Sequence, residues 1–150
     1  MSGTAAAPAK LLRAWRATAY EAEGAVARIG RRSAAVDRLL RRLGARQGAF
    51  VSAWNPQARR LPPGHNMRRH AALRQAARRL GFAEGWGRGR CWAERHLLIA
   101  GDPRRLAALA RRFRQRGIVV VRRGAPARLM LLPPPHSSGS AVAATVSVLR

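Results

Sequence analysis

A chain of 150 residues, 47% of them apolar, is long enough for one hydrophobic core and too apolar to stay disordered. Its formal net charge is +24, from 30 Lys+Arg against 6 Asp+Glu. Chemistry that needs paired carboxylates is nearly excluded by supply, and a polyanion becomes a candidate partner. Only Lys10 among the basic residues is a lysine, and alanine is abundant. Arg and Ala both have GC-rich codons, so a GC-rich genome is an alternative source for much of the arginine. The arginines also run along the whole chain and do not gather in one block.

The one cysteine, Cys91, cannot form an intramolecular disulfide, which fits a reducing, cytoplasmic compartment. The start of the chain lacks a charged segment followed by a long apolar run, so no secretory signal is expected. Its apolar runs fall well short of the roughly 20 residues that span a bilayer.

In chain order, residues 1–13 are small and polar and predict a flexible N-terminus. A single domain is expected over 14–132. Residues 15–29 predict two short strands around Glu23-Gly24, a hairpin turn. Ser33 is a helix N-cap, and Val36, Leu39, Leu40 and Leu43 follow helical spacing up to Gly44. GAFVSAWNP, 48–56, reads as a strand with Phe50, Ser52 and Trp54 on one face, stopped at Asn55-Pro56. A second helix over about 65–80 carries the stripe Leu73, Ala76, Ala77 and Leu80, closed by Gly81. GFAEGWGRGR is weakly patterned and predicts a short strand turning into a hairpin. ERHLLIAG, 94–101, is a clearer strand. Asp102-Pro103 then caps a third helix with Leu106, Leu109, Ala110 and Phe113 on its apolar face. Gly117 stops that helix, IVVV at 118–121 is a buried strand, and a last strand lies near 127–132. The segment 133–150 opens on three prolines and reads as a low-complexity, disordered tail, with 142–149 the alternative place for a late strand.

The order from 48 to 122 is strand, helix, strand, strand, helix, strand. It predicts an α+β fold with a ferredoxin-like split βαβ core, extended by an N-terminal hairpin and helix and a C-terminal strand. Right-handed crossovers make the first and second strands parallel and the other two opposed to them. Asn55, Asn66, Glu94 and Gln115 then meet at one rim, with Trp92 as a flat wall. Side-chain amides and a helix start there suit a polar ligand or a partner peptide. Each residue also has a plainer role: a turn for Asn55, a cap for Asn66, an arginine partner for Glu94, exposure to water for Gln115.

AFVSAWNP, Asn66 near a helix start, W-A-E at 92–94 and F-R-Q at 113–115 together resemble a bacterial family of unknown function, DUF3293, over about residues 16–131. The resemblance implies a small bacterial, cytosolic domain and no established activity. Where that family commonly has E-E-S, this chain has Glu94, Arg95 and His96, which adds positive charge and argues against an acid pair.

Two other functions compete with ligand or partner binding. An RNA- or DNA-binding module would stack bases on Phe50 and Trp54 beside Arg68, Arg69, Arg88 and Arg90. Against it, the strand at 94–101 lacks the aromatic RNA-recognition signature, and Phe50 and Trp54 also suit a core. An enzyme would use Glu94 as acid or base, but no nucleophile accompanies it. No cofactor motif is found: G-W-G-R-G has neither Walker nor dinucleotide spacing. His65 and His70 are wrongly spaced to share a helix face, and Cys91 with His96 lacks further ligands, so no metal site is expected.

Overall fold

The computed structural model describes residues 9–133 and 148–149. Its first element is a helix, α1 (Ala9–Ala17), followed by β1 (Ala19–Ala22), β2 (Ala25–Ala27) and α2 (Ala34–Arg42). Next come β3 (Gln47–Val51), α3 (Pro63–Ala76), β4 (Phe82–Arg88) and β5 (Ala93–Ala100). The chain continues through α4 (Pro103–Arg112), β6 (Gly117–Arg122), β7 (Arg128–Leu131) and β8 (Val148–Leu149). The fold class is α+β.

Local chemistry accounts for most boundaries. Glu23 and Gly24 both have positive φ, 47° and 84°, which closes the β1–β2 hairpin tightly. Ser33 Oγ accepts from the Val36 amide at 3.2 Å and starts α2. Past its end, Ala45 N–H returns to the Leu40 carbonyl around a left-handed Gly44. Asp102 Oδ1 accepts from the Arg104 amide at 2.8 Å, with Pro103 in the first turn of α4. That helix ends at Arg112, before a left-handed Arg114, so Gly117 belongs to β6 and does not stop it.

The eight strands form one sheet in the order β2-β1-β4-β5-β3-β6-β7-β8. Every neighbouring pair is antiparallel. β3 and β4 both run opposite to β5, hence parallel to each other, and β6 opposes β3. The N-terminal hairpin extends the β4 edge, and β7 extends β6. The two flanks curl toward each other. Ile29 and Ala127 form a bridge, with Gly30 N–H donating to the Ala127 carbonyl at 2.7 Å.

Alternation along the central strands splits the core in two. Ala49, Val51, Leu97, Ile99, Ile118 and Val120 face α3 and α4 through Leu73, Ala77, Leu106 and Ala110. Phe50, Leu98, Val119, Val121 and Leu129 face the other way, against Val36, Leu39 and Leu40 of α2, with Leu12 and Trp15 of α1 beside them. Both crossover helices therefore lie on one face. Among the described residues no helix is long and apolar enough to cross a membrane.

The N-terminus also differs from the expectation. Residues 9–17 are helical, where a flexible start and strand-like residues from 15 were expected; Leu11, Leu12 and Trp15 carry the helical spacing. The strand expected in GFAEGWGRGR is present as β4 and turns into β5 as a hairpin, at seven residues longer than expected. Of the C-terminal tail, Val148 and Leu149 pair with β7, while 134–147 and 150 lie outside the described residues.

Candidate functional site

The strand β3 ends at Val51, and the chain then turns on Asn55, which has φ 46° and ψ 64°. Asparagine tolerates that left-handed backbone better than other non-glycine residues. Pro56 follows and opens a short 3₁₀ turn over Pro56–Ala58. Gln57 pins the turn to the end of α4, its backbone N–H donating to the Arg114 carbonyl at 2.8 Å and its side chain to the same oxygen at 3.0 Å.

Asn55 is the hub of a network. Its N–H donates to Asn66 Oδ1 and its Oδ1 accepts from Asn66 Nδ2, each at 2.9 Å. The Leu61 amide also donates to Asn55 Oδ1, at 2.9 Å. Asn55 Nδ2 donates to Glu94 Oε1 at 2.7 Å. Asn66, 3% exposed, is therefore no helix cap; it ties the first turn of α3 to the end of the preceding strand segment. Gln115 Nε2 donates to the carbonyls of Trp54 at 3.0 Å and Phe113 at 3.2 Å. Burial holds the Glu94 carboxyl above its ordinary value, and the Asn55 hydrogen bond offsets this in part.

The network faces a cavity of about 650 Å3. Asn55, Asn66, Trp92, Glu94 and Gln115 all line it, as do Trp15, Arg60 and Arg116. A smaller chamber of about 80 Å3 lies behind, walled by Tyr20, Phe50, Ile118, Val119 and Leu129. Trp15, Trp92, Glu94 and Gln115 line both, so the two spaces meet there. The sequence reading thus finds the outer rim. It misses the inner chamber, whose walls come from strands that only the folded sheet brings together.

The residues named for base stacking do not form a platform. Phe50 is 3% exposed and packs between Tyr20, at 5.8 Å, and His96, at 4.9 Å. The N-terminal hairpin and α2 cover that face. Trp54 lies beyond the strand and meets Trp86 edge-on at 5.8 Å. Arg69 is a structural clamp, donating to the carbonyls of Ala53, at 2.7 Å, and Phe113. Arg88 lies over the Trp86 ring, while Arg68 and Arg90 are exposed.

A second cluster was not anticipated. Glu84 Oε1 meets His70 Nε2 at 3.0 Å and Arg74 Nε at 3.2 Å, and Oε2 meets Arg95 at 3.4 Å. Arg95 also lies 4.9 Å from the Trp86 centroid. The His70 hydrogen bond, ahead of the two arginines, holds the Glu84 carboxyl below its ordinary value. The period-two run Phe82, Glu84, Trp86, Arg88 was the available signal, placing Glu84 and Trp86 on one strand face. Among the described residues, no group of three or more His, Cys, Asp or Glu is placed to hold a metal ion.

Fold and cavity together define a single-sheet α+β domain with a polar pocket at one rim. Residues 51–118, which include all five rim residues, match the model of a family described as Protein of unknown function (DUF3293). No curated protein and no solved structure matches the chain significantly.

Proposed function

We propose that this domain binds a small polar ligand at the rim formed by Asn55, Asn66, Glu94 and Gln115, with Trp92 as one wall. The observation that carries this reading is the position of Glu94. Its carboxyl is held by Asn55 at the junction of two cavities, and only Oε1 is engaged among the described residues. The second oxygen, Oε2, is not among the buried unpartnered atoms and stays open as an acceptor for a ligand in the cavity. The unexposed Phe50 counts against base stacking. The hydrogen-bond partner of Glu94 is an amide and not a nucleophile, which favours binding over catalysis.

We further infer a ferredoxin-like core, supported by the order β4-β5-β3-β6 with both crossover helices on one face. A cytosolic location suits the exposed, unpaired Cys91.

The test is thermal unfolding of the full chain against millimolar amino acids, amines, carboxylic acids and nucleosides. At least one class is expected to raise Tm in the native chain, and Glu94→Gln and Trp92→Ala should lose that rise. If no class raises Tm, or the variants respond like the native chain, the pocket binds none of these ligands and the reading fails.

A further inference from the structure

Resting on the binding role just proposed, the geometry points to a free α-amino acid with a short aliphatic side chain as the ligand. The argument comes from what each part of the site leaves unsatisfied. At the junction of the two cavities, Asn66 Nδ2 donates to Asn55 Oδ1 and to the Leu61 carbonyl, and Asn55 Nδ2 gives one of its two donors to Glu94 Oε1. Gln115 spends its Nε2 on two carbonyls. Among the described residues, Glu94 Oε2 and Gln115 Oε1 take no hydrogen bond. The junction therefore offers two free acceptors, one of them on a carboxylate, which suits a cationic group that donates. A primary ammonium, with three donors, is such a group.

Behind the junction the inner chamber is mainly aliphatic and aromatic, with Phe50, Val119 and Leu129 among its walls. Its volume is about 80 Å3. An engineered apolar cavity of about 150 Å3 holds benzene, so a chamber about half that size suits a few aliphatic carbons better than an aromatic ring. In front of the junction the outer cavity carries Arg60 and Arg116, a cationic wall for a carboxylate. An α-amino acid joins these three features through one carbon: side chain inward, ammonium at Glu94 and Gln115, carboxylate outward.

The experiment is calorimetric titration of the full chain with L-valine, isovalerate, isobutylamine, L-phenylalanine and adenosine. Isovalerate is valine without the ammonium, and isobutylamine is valine without the carboxylate. Valine is expected to bind, with isovalerate weaker by about tenfold or more, the loss of one hydrogen-bonded charge. Isobutylamine should fall between them, and phenylalanine should not bind. Glu94→Gln should weaken valine by about tenfold and leave isovalerate as it was. Isovalerate or phenylalanine binding as tightly as valine overturns the inference while the pocket remains a binding site. Adenosine binding without valine does the same. Silence from all five probes, with no Tm rise from any class of compound, removes the binding role itself.

Discussion

Asn55 donates its side-chain amide to Glu94 at 2.7 Å across 39 residues of sequence, and the same side chain accepts from Asn66 and Leu61. One amide thus locks the end of the β3 segment, the start of α3 and the start of β5. Asn55→Gly isolates this role, because glycine accepts the left-handed backbone while losing every side-chain bond. Three partners would be left unpaired in a half-buried place. The expected cost is about 2 kcal/mol in urea unfolding. Asn55→Ala should cost about 1 kcal/mol more, from the backbone alone. Equal stability of the glycine variant and the native chain would show that the network does not hold the rim.

Glu94 gives that rim a pH signature. Its carboxyl lies above the ordinary value chiefly through burial, so the folded chain holds this proton more tightly than the unfolded one. The group's stabilising contribution is complete below the unfolded value of 4.5 and is lost as pH rises through the folded value. Glu94→Gln keeps an oxygen for Asn55 and removes the charge. The variant should gain stability relative to the native chain between pH 4 and pH 7. Unfolding free energies measured at both pH values check this; a difference that does not change with pH contradicts it.

The rim was legible in the sequence for a physical reason. Asn55, Asn66, Glu94 and Gln115 each stand beside an element boundary, and βαβ connectivity stacks such boundaries at sheet ends. The caps Ser33 and Asp102 were legible because capping is local chemistry. The full length of β4 was not, because Gly85 and Gly87 occupy alternate positions where side chains would announce a strand. The burial of Phe50 was not, because alternation tells which residues share a face and says nothing of what covers it. Trp54 misled for a related reason: the ladder stops at Val51, so its parity with Phe50 no longer fixes its side.

His96 predicts a loss of stability in acid. Its ring is buried, and Nε2–H donates to the Glu21 carbonyl at 2.6 Å. Burial pushes its pKa down from 6.5 to about 4, although that hydrogen bond favours the charged ring. Above pH 6.5 both states are neutral and the shift contributes nothing. As pH falls from 6.5 to 4 the unfolded chain takes up the proton first, and folding weakens by about 3 kcal/mol in total. His70, also lowered by burial, adds to this loss, and Glu94, raised by burial, works against it. His96→Gln can keep the donor to Glu21 without titrating. Over that window its stability should fall by about 3 kcal/mol less than that of the native chain, as read by chemical unfolding at stepped pH; an equal fall in both would contradict the assignment.

The curl that encloses the inner chamber rests on Gly85 more than on its neighbour Gly87. Gly85 pairs with Ala22 of β1, and a Cβ there would overlap the Glu21 carbonyl and lie 2.7 Å from the Ala22 Cα. Backbone cannot yield as a side-chain tip can, so alanine would have to open the β1–β4 ladder. Gly85→Ala should cost about 3 kcal/mol or detach the N-terminal hairpin. A Cβ on Gly87 meets only His96 Nδ1, at 3.5 Å, and a Thr18 methyl, at 3.7 Å, both ordinary contacts. Gly87→Ala should therefore change stability by less than about 1 kcal/mol, and it gains some strand preference. Amide exchange separates the cases. In Gly85→Ala the amides of Glu21 and Glu23, which face β4, should lose protection while those of Phe50 and Leu98 keep it; in Gly87→Ala all four should stay protected. Equal protection in both variants would place the strain elsewhere in the sheet.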